Sequence, residues 1–165
     1  MFPGRQGVGG GACLLRVLGL VVCGSVLACS AGCHANDESA VLRYPGSPFD
    51  ARIERSPMHL FLAEYERVLV LERDGREVAR HPMFPDTGGY SRTNAYDLGR
   101  SRTLLLSAFD AYVLDYDRGE IQTVERNGAK ADGTYVGAFD TDDGGHWRFI
   151  AASERPEASV EPKGG

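Results

Sequence analysis

A chain of 165 residues with 18 basic and 23 acidic side chains and a net charge of −5 has no surplus of Lys and Arg to form the basic stripe that nucleic acid or anionic lipid headgroups demand. All four cysteines, Cys13, Cys23, Cys29 and Cys33, fall in the first 33 residues. The remainder has no disulfide framework and no cysteine-based metal site, so it must fold on its apolar core alone.

Residues 1–16 contain Arg5 and Arg16 and no acid, and Val17–Ala28 (VLGLVVCGSVLA) is an unbroken apolar or small-residue run. A charged start followed by a short apolar core is the layout of a secretory signal. A membrane-spanning helix needs about 20 apolar residues. This run instead gives way to Ser30, His34, Asn36, Asp37 and Glu38.

The run closes on Val26-Leu27-Ala28-Cys29. That ending resembles the lipobox of bacterial lipoprotein precursors, a resemblance that covers only residues 1–33. It implies cleavage before Cys29 and acylation of that cysteine. Ser30 in the next position, where an Asp would favour inner-membrane retention, implies the outer membrane of a two-membraned cell. Val26 stands where Leu is usual, and Ser30-Ala31-Gly32-Cys33 is a second, less apolar candidate. Ordinary cleavage after Ala28, leaving Cys29 and Cys33 able to pair, is the alternative. A single acyl chain binds a membrane only marginally, but the two or three of a lipoprotein, at about 0.8 kcal/mol per buried methylene, make anchoring effectively permanent. Loss of residues 1–28 takes Arg5 and Arg16 from the 18 basic residues, leaving 16 against 23 acidic ones and a net charge of −7.

Residues 29–56 read as the acylated cysteine and a polar tether interrupted by Pro45, Gly46 and Pro48, with too few apolar residues to order itself. Leu42, Tyr44 and Phe49 are the residues of this stretch able to dock onto a domain. Residues 153–165 (SERPEASVEPKGG) have the same character and are expected to trail free. Residues 57–152 remain as one domain.

That domain reads as strands joined by turns. The runs 58–63, 67–73, 77–84, 103–109, 112–116, 120–125, 135–139 and 146–152 are rich in Val, Leu, Ile, Tyr and Phe, with Asp, Gly or Pro between them. They predict an all-β fold: a single antiparallel meander of about seven to nine strands, closed as an up-and-down barrel or packed as a compact sandwich. The first two runs also allow a partial helical pattern through Leu60, Ala63, Arg67, Val70 and Leu71. The unbroken β-favouring run Val68–Leu71 decides for a strand. Near the end, Tyr135, Gly137 and Phe139 are expected to share a face and meet Trp147, Phe149 and Ala151 across a turn.

At Glu72–Glu77 a two-residue Asp-Gly turn would set Arg73 opposite Arg76 and Glu72 opposite Glu77. Charge therefore favours a three-residue loop ending in a left-handed Gly75, with Glu72 opposite Arg76. Gly119 is expected to play the same part in Tyr116–Glu120. The two hairpins, VLERDGREV from Val70 and VLDYDRGEI from Val113, resemble each other through common hairpin chemistry rather than as propeller blades, for which the chain is too short.

Candidate chemistry is sparse. Asp140-Thr141-Asp142-Asp143-Gly144-Gly145 invites a calcium reading, but an EF-hand needs an oxygen ligand at its fifth position and a Glu at its twelfth, where Gly144 and Ala151 stand. The run reads as an acidic hairpin tip. His59, His81 and His146 lack metal-ligand spacing, and no serine sits in a Gly-x-Ser-x-Gly elbow. Asp115 and Asp117 pair about Tyr116 without marking a glycosidase. No metal or cofactor is implied. The least generic loop is 85–94 (PDTGGYSRTN), where Tyr90 and Arg92, residue types enriched in binding hot spots, stand beside Gly88-Gly89. They are the partner-binding candidates, with packing of Tyr90 onto the domain as the other reading. The sequence thus predicts a membrane-anchored envelope lipoprotein whose domain is a noncatalytic binding module, an inhibitor, immunity factor or envelope-complex subunit. Its expected partners are the membrane, through the anchor, and an envelope protein or glycan, with no nucleic acid. A small envelope hydrolase or carbohydrate-active enzyme with an acidic site is the alternative.

Overall fold

The computed structural model describes residues 37–87, 92–126 and 133–160, and these form ten antiparallel strands and no α-helix. The strands are β1 (Glu38–Arg43), β2 (Phe49–Pro57), β3 (Tyr65–Arg73), β4 (Arg76–Pro82), β5 (Thr93–Gly99), β6 (Arg102–Leu106), β7 (Ala111–Asp115), β8 (Glu120–Val124), β9 (Thr134–Thr141) and β10 (Trp147–Ala151). Two sheets result, one ordered β1-β2-β3-β4 and the other β10-β9-β5-β6-β7-β8. β1 lies against β10 and β4 against β8 without backbone pairing, so the pair is a sandwich and not a closed barrel. The meander is broken twice, first where the chain passes from β4 in one sheet to β5 in the other. After β8 the chain crosses its sheet to place β9 beside β5.

Residues 38–56, expected within the tether, instead contribute β1 and nearly all of β2. The reason is period-two burial: Phe49, Ala51, Ile53 and Arg55 point inward while Asp50, Arg52, Glu54 and Ser56 point outward. Sparse apolar residues suffice when every second position is the only one to be covered. Ala40 and Leu42 of β1 join them in a core with Leu69 and Leu71 of β3 and with Ala95, Leu105, Leu114, Phe139 and Trp147 from the facing sheet.

Residues 156–160, expected within a free tail, also lie against the domain. Tyr96, Leu104, Leu106 and Ala111 form a second apolar cluster on the outer face of the six-stranded sheet, and Val160 packs into it. The Asn94 amide donates to the Ala158 carbonyl at 2.9 Å and the Tyr96 hydroxyl to Glu157 at 2.7 Å, fixing residues 156–160 as a strap. Burial and the Glu157 hydrogen bond push the Tyr96 hydroxyl up to about 12.

Three local expectations change. The turn at Asp74-Gly75 has two residues, with φ of 51° and 73°, and does set Glu72 opposite Glu77 and Arg73 opposite Arg76. Two left-handed residues match the twist of the strands. The like charges are answered nearby, Glu72 by Arg52 of the neighbouring β2 at 2.7 Å and Glu77 by Arg80 of its own strand at 2.7 Å. Gly119 is left-handed at φ 68°, but it closes a longer loop in which its N–H donates to the Asp115 carbonyl. On β9 the register shifts between Ala95 and Tyr96 of its β5 partner, so Tyr135 turns to Tyr96 on the outer face while Phe139 stays in the core. Gly137 permits this shift: its φ is 148°, and a Cβ there would stand 2.4 Å from the Ile150 carbonyl oxygen. Phe149 meets Phe139 across the hairpin as expected, with ring centres 5.2 Å apart.

Candidate contact surface

Strand direction decides which loops share an end. Glu38, at the start of β1, pairs with Arg55, and Pro57, at the end of β2, pairs with Tyr65. The point where the chain enters the sandwich therefore lies beside the β2–β3 loop. Residues 58–63, expected as a strand, form this loop instead, with the Met58 N–H donating to the Glu64 carbonyl at 2.9 Å to close its base. Between those residues Leu60, Phe61 and Leu62 are 87%, 94% and 58% exposed. No packing within the domain accounts for three successive apolar side chains in solvent.

A cavity of about 430 Å³ at the foot of this loop is lined by Asp37, Glu38, His59, Leu60, Leu62 and Tyr65. Behind it the Arg55 guanidinium is stacked between the rings of Tyr65 and Trp147, 4.3 Å from each ring centre, and is ion-paired with Glu38. The stack makes the base rigid.

A second apolar pair shares this end. Phe84 and Phe109 are both exposed, with ring centres 5.0 Å apart. They are held from beneath by buried Arg67, which donates from Nε and Nη2 to the Phe84 carbonyl at 3.0 and 2.7 Å and from Nη1 to Thr93 at 3.1 Å. Asp110 lies 3.6 Å from Arg67 and accepts from the Phe84 N–H and the Tyr112 hydroxyl. Burial and that carboxylate hold the Tyr112 hydroxyl well above its ordinary range.

Of the residues singled out from sequence, Cys29 and Tyr90 lie outside the described residues. Arg92 is committed internally: Nε donates to Asn94 at 2.8 Å, Nη1 to Asp140 at 2.9 Å and Nη2 to the Tyr135 hydroxyl at 3.0 Å. The acidic run 140–143 is likewise neutralised by the protein. Arg155 reaches Asp140 at 3.1 Å and Asp143 at 2.8 Å. Asp142 accepts from the backbone N–H groups of Gly144 and His146 and from Arg148 Nε. The His146 N–H and then Arg148 hold its carboxyl down at about 2. Among the described residues no group of three His, Cys, Asp or Glu is placed to hold a metal ion.

Among the described residues the histidines do not converge. His59 stands 3.4 Å from Glu64, His81 bonds Thr123 at 3.2 Å, and His146 lies 3.4 Å from Asp142. Asp115 and Asp117 line a polar hollow of about 350 Å³ with Arg100, Arg102 and Arg118. At the opposite end from the exposed tip, an apolar crevice of about 290 Å³ opens between the sheets, lined by Leu42, Tyr44, Asp97, Thr103, Val136 and Phe149. No family model, no curated protein and no solved structure matches the chain.

The tip was invisible as a site in the sequence because an apolar run reads the same whether it is buried or exposed. Its one signal is position: Leu60-Phe61-Leu62 begins three residues after Pro57, which ends β2.

Proposed function

We propose that this protein is a bacterial envelope lipoprotein, acylated at Cys29 and held at the outer membrane, whose sandwich is a noncatalytic binding module. The observation that carries the binding reading is the exposed apolar end built by Leu60, Phe61 and Leu62 with Phe84 and Phe109 nearby. Binding surfaces are apolar and exposed, whereas catalytic sites bring titratable groups together in a cleft. Here the acidic residues of the β9–β10 hairpin are spent on arginine pairs and turn hydrogen bonds. The anchor reading draws its support from the charged start, the apolar run and Val26–Cys29.

The test is mass spectrometry of the mature N-terminus with membrane fractionation of wild type and Cys29→Ser. Acylated Cys29 in the membrane fraction, and an uncleaved or soluble Cys29→Ser chain, is the expected result. An unmodified chain beginning at Cys29 rejects the anchor, and one beginning with acylated Cys33 moves it. A pull-down of the anchored protein from its own envelope identifies the envelope protein or glycan that the module binds.

A further inference from the structure

We propose that Leu60, Phe61 and Leu62 are a membrane-inserting tip that presses this end of the sandwich onto the lipid surface holding the chain. The inference rests on the acylation of Cys29 proposed above and names the first partner of the module as the bilayer itself. Its starting point is position. The foot of the β2–β3 loop is lined by Asp37 and Glu38, the residues through which the chain enters the sandwich, together with Leu60 and Leu62. Seven residues lie between Cys29 and Asp37, and the eight steps from one to the other span at most about 28 Å even fully extended. An acylated Cys29 therefore holds this end within about 28 Å of the headgroups.

The chemistry of the tip fits the boundary between headgroups and acyl chains. Leu60-Phe61-Leu62-Ala63 is uncharged, and the polar pair His59 and Glu64 sits at its base, 3.4 Å apart, at the depth where water and headgroups would meet it. Apolar side chains already exposed to water at the tip of a closed loop gain by burial at that boundary. Phe84 and Phe109 on the same end supply a second apolar point. Electrostatics supply no attraction, because the mature chain is acidic and Asp37 and Glu38 border the tip. The contact should therefore form on zwitterionic lipid and weaken as anionic lipid is added. A domain fixed by both anchor and tip has a defined orientation, with the crevice of Leu42, Tyr44 and Phe149 directed away from the membrane.

The experiment compares full-length wild-type protein with Phe61→Trp, each purified from its own envelope and reconstituted into phosphatidylcholine vesicles with plain or brominated acyl chains. Trp147 is buried and common to both samples, so the difference reports position 61. The expected result is a blue-shifted additional emission that brominated lipid quenches, with an unchanged melting temperature. Mass spectrometry of the same samples reports the anchor separately. Unquenched, red-shifted emission from an acylated chain overturns the tip and leaves the anchor standing. Quenched emission from a chain found without acylation rejects the anchor and upholds the tip. A blue shift that persists in lipid-free buffer and escapes quenching assigns the tip to a protein contact, which also overturns the proposal. Should Phe61→Trp lower the melting temperature, Leu60→Trp, at a position 87% exposed, carries the same readout.

Discussion

The Arg55 guanidinium carbon stands 4.3 Å from the ring centre of Trp147, and this contact crosses from β2 of one sheet to β10 of the other. Both residues are buried, so the stack acts where solvent screens it little and joins the sheets along their open edge. Arg55→Met keeps the aliphatic stem and removes the charge, and should cost about 1–2 kcal/mol. Trp147→Ala should cost about 3–5 kcal/mol through loss of a large core side chain. Trp147→Phe should be milder, since the indole N–H has no hydrogen-bond partner among the described residues. Urea denaturation followed by circular dichroism checks all three. A change within about 0.5 kcal/mol for Arg55→Met, the range of ordinary surface substitutions, would show that the stack contributes nothing.

The same pair marks how far the sequence could be read. Trp147 belongs to an alternating strand, and its pairing with β9 followed from period-two patterning near the end of the chain. Arg55 did not, because it occupies an inward position of a strand that composition alone assigns to a tether. Short strands with one apolar residue in two and prolines nearby do not separate from linkers until a neighbouring sheet supplies the surface they cover. The all-β class and most strand positions were legible for the opposite reason: Val68–Leu71, Leu104–Leu106 and Tyr112–Leu114 are dense in β-favouring residues. Charge arguments confined to directly opposed pairs misjudged the Asp74-Gly75 turn, since the compensating Arg52 comes from β2 and Arg80 from further along β4.

The strap over the outer face predicts a role for residues that read as a free tail. Truncation after Pro156 removes the Tyr96–Glu157 and Asn94–Ala158 hydrogen bonds and uncovers the cluster that Val160 seals. Two hydrogen bonds and one buried valine together contribute about 2–4 kcal/mol. The truncated chain should unfold at correspondingly lower urea concentration. Its Tyr96 should also ionise closer to pH 10 than to about 12, because burial and Glu157, which raise it, are both lost. Ultraviolet difference titration at tyrosinate wavelengths distinguishes this from general loosening.

Acid sensitivity should trace in part to Asp142. Its carboxyl is held at about 2 against an ordinary 3.8, so the folded protein favours the ionised form. A lowered folded value contributes stability that is present in full above about pH 4 and is lost as pH falls through about 2. The gap in melting temperature between wild type and Asp142→Asn should therefore be constant near neutrality and close between those limits. A gap that persists unchanged at pH 2 would show that the effect of Asn comes from turn geometry and not from charge.

Arg92 carries the sharpest test of the 85–94 loop. Its bonds to the side chains of Asn94, Asp140 and Tyr135, with a longer one to the Pro156 carbonyl at 3.4 Å, lie in a site where the side chains of Arg92 and Asp140 are only 15% and 20% exposed. Breaking a fully buried ion pair costs about 3–5 kcal/mol. Here Asp140 keeps Arg155 at 3.1 Å, so Arg92→Ala should cost less, about 2 kcal/mol, and lower the melting temperature by roughly 8 °C. Arg92→Lys cannot reach three acceptors from one ammonium and should recover only part of the loss. Tyr90→Ala separates positioning from contact in the same loop: a recognition role would cost at least about 2 kcal/mol of binding, near thirtyfold in affinity, at an unchanged melting temperature. Calorimetric melting of both variants, with titration against the partner recovered from the envelope, reads the two effects independently. An Arg92→Ala protein that melts as wild type yet binds thirtyfold more weakly would move Arg92 from the framework of the loop to its contact surface.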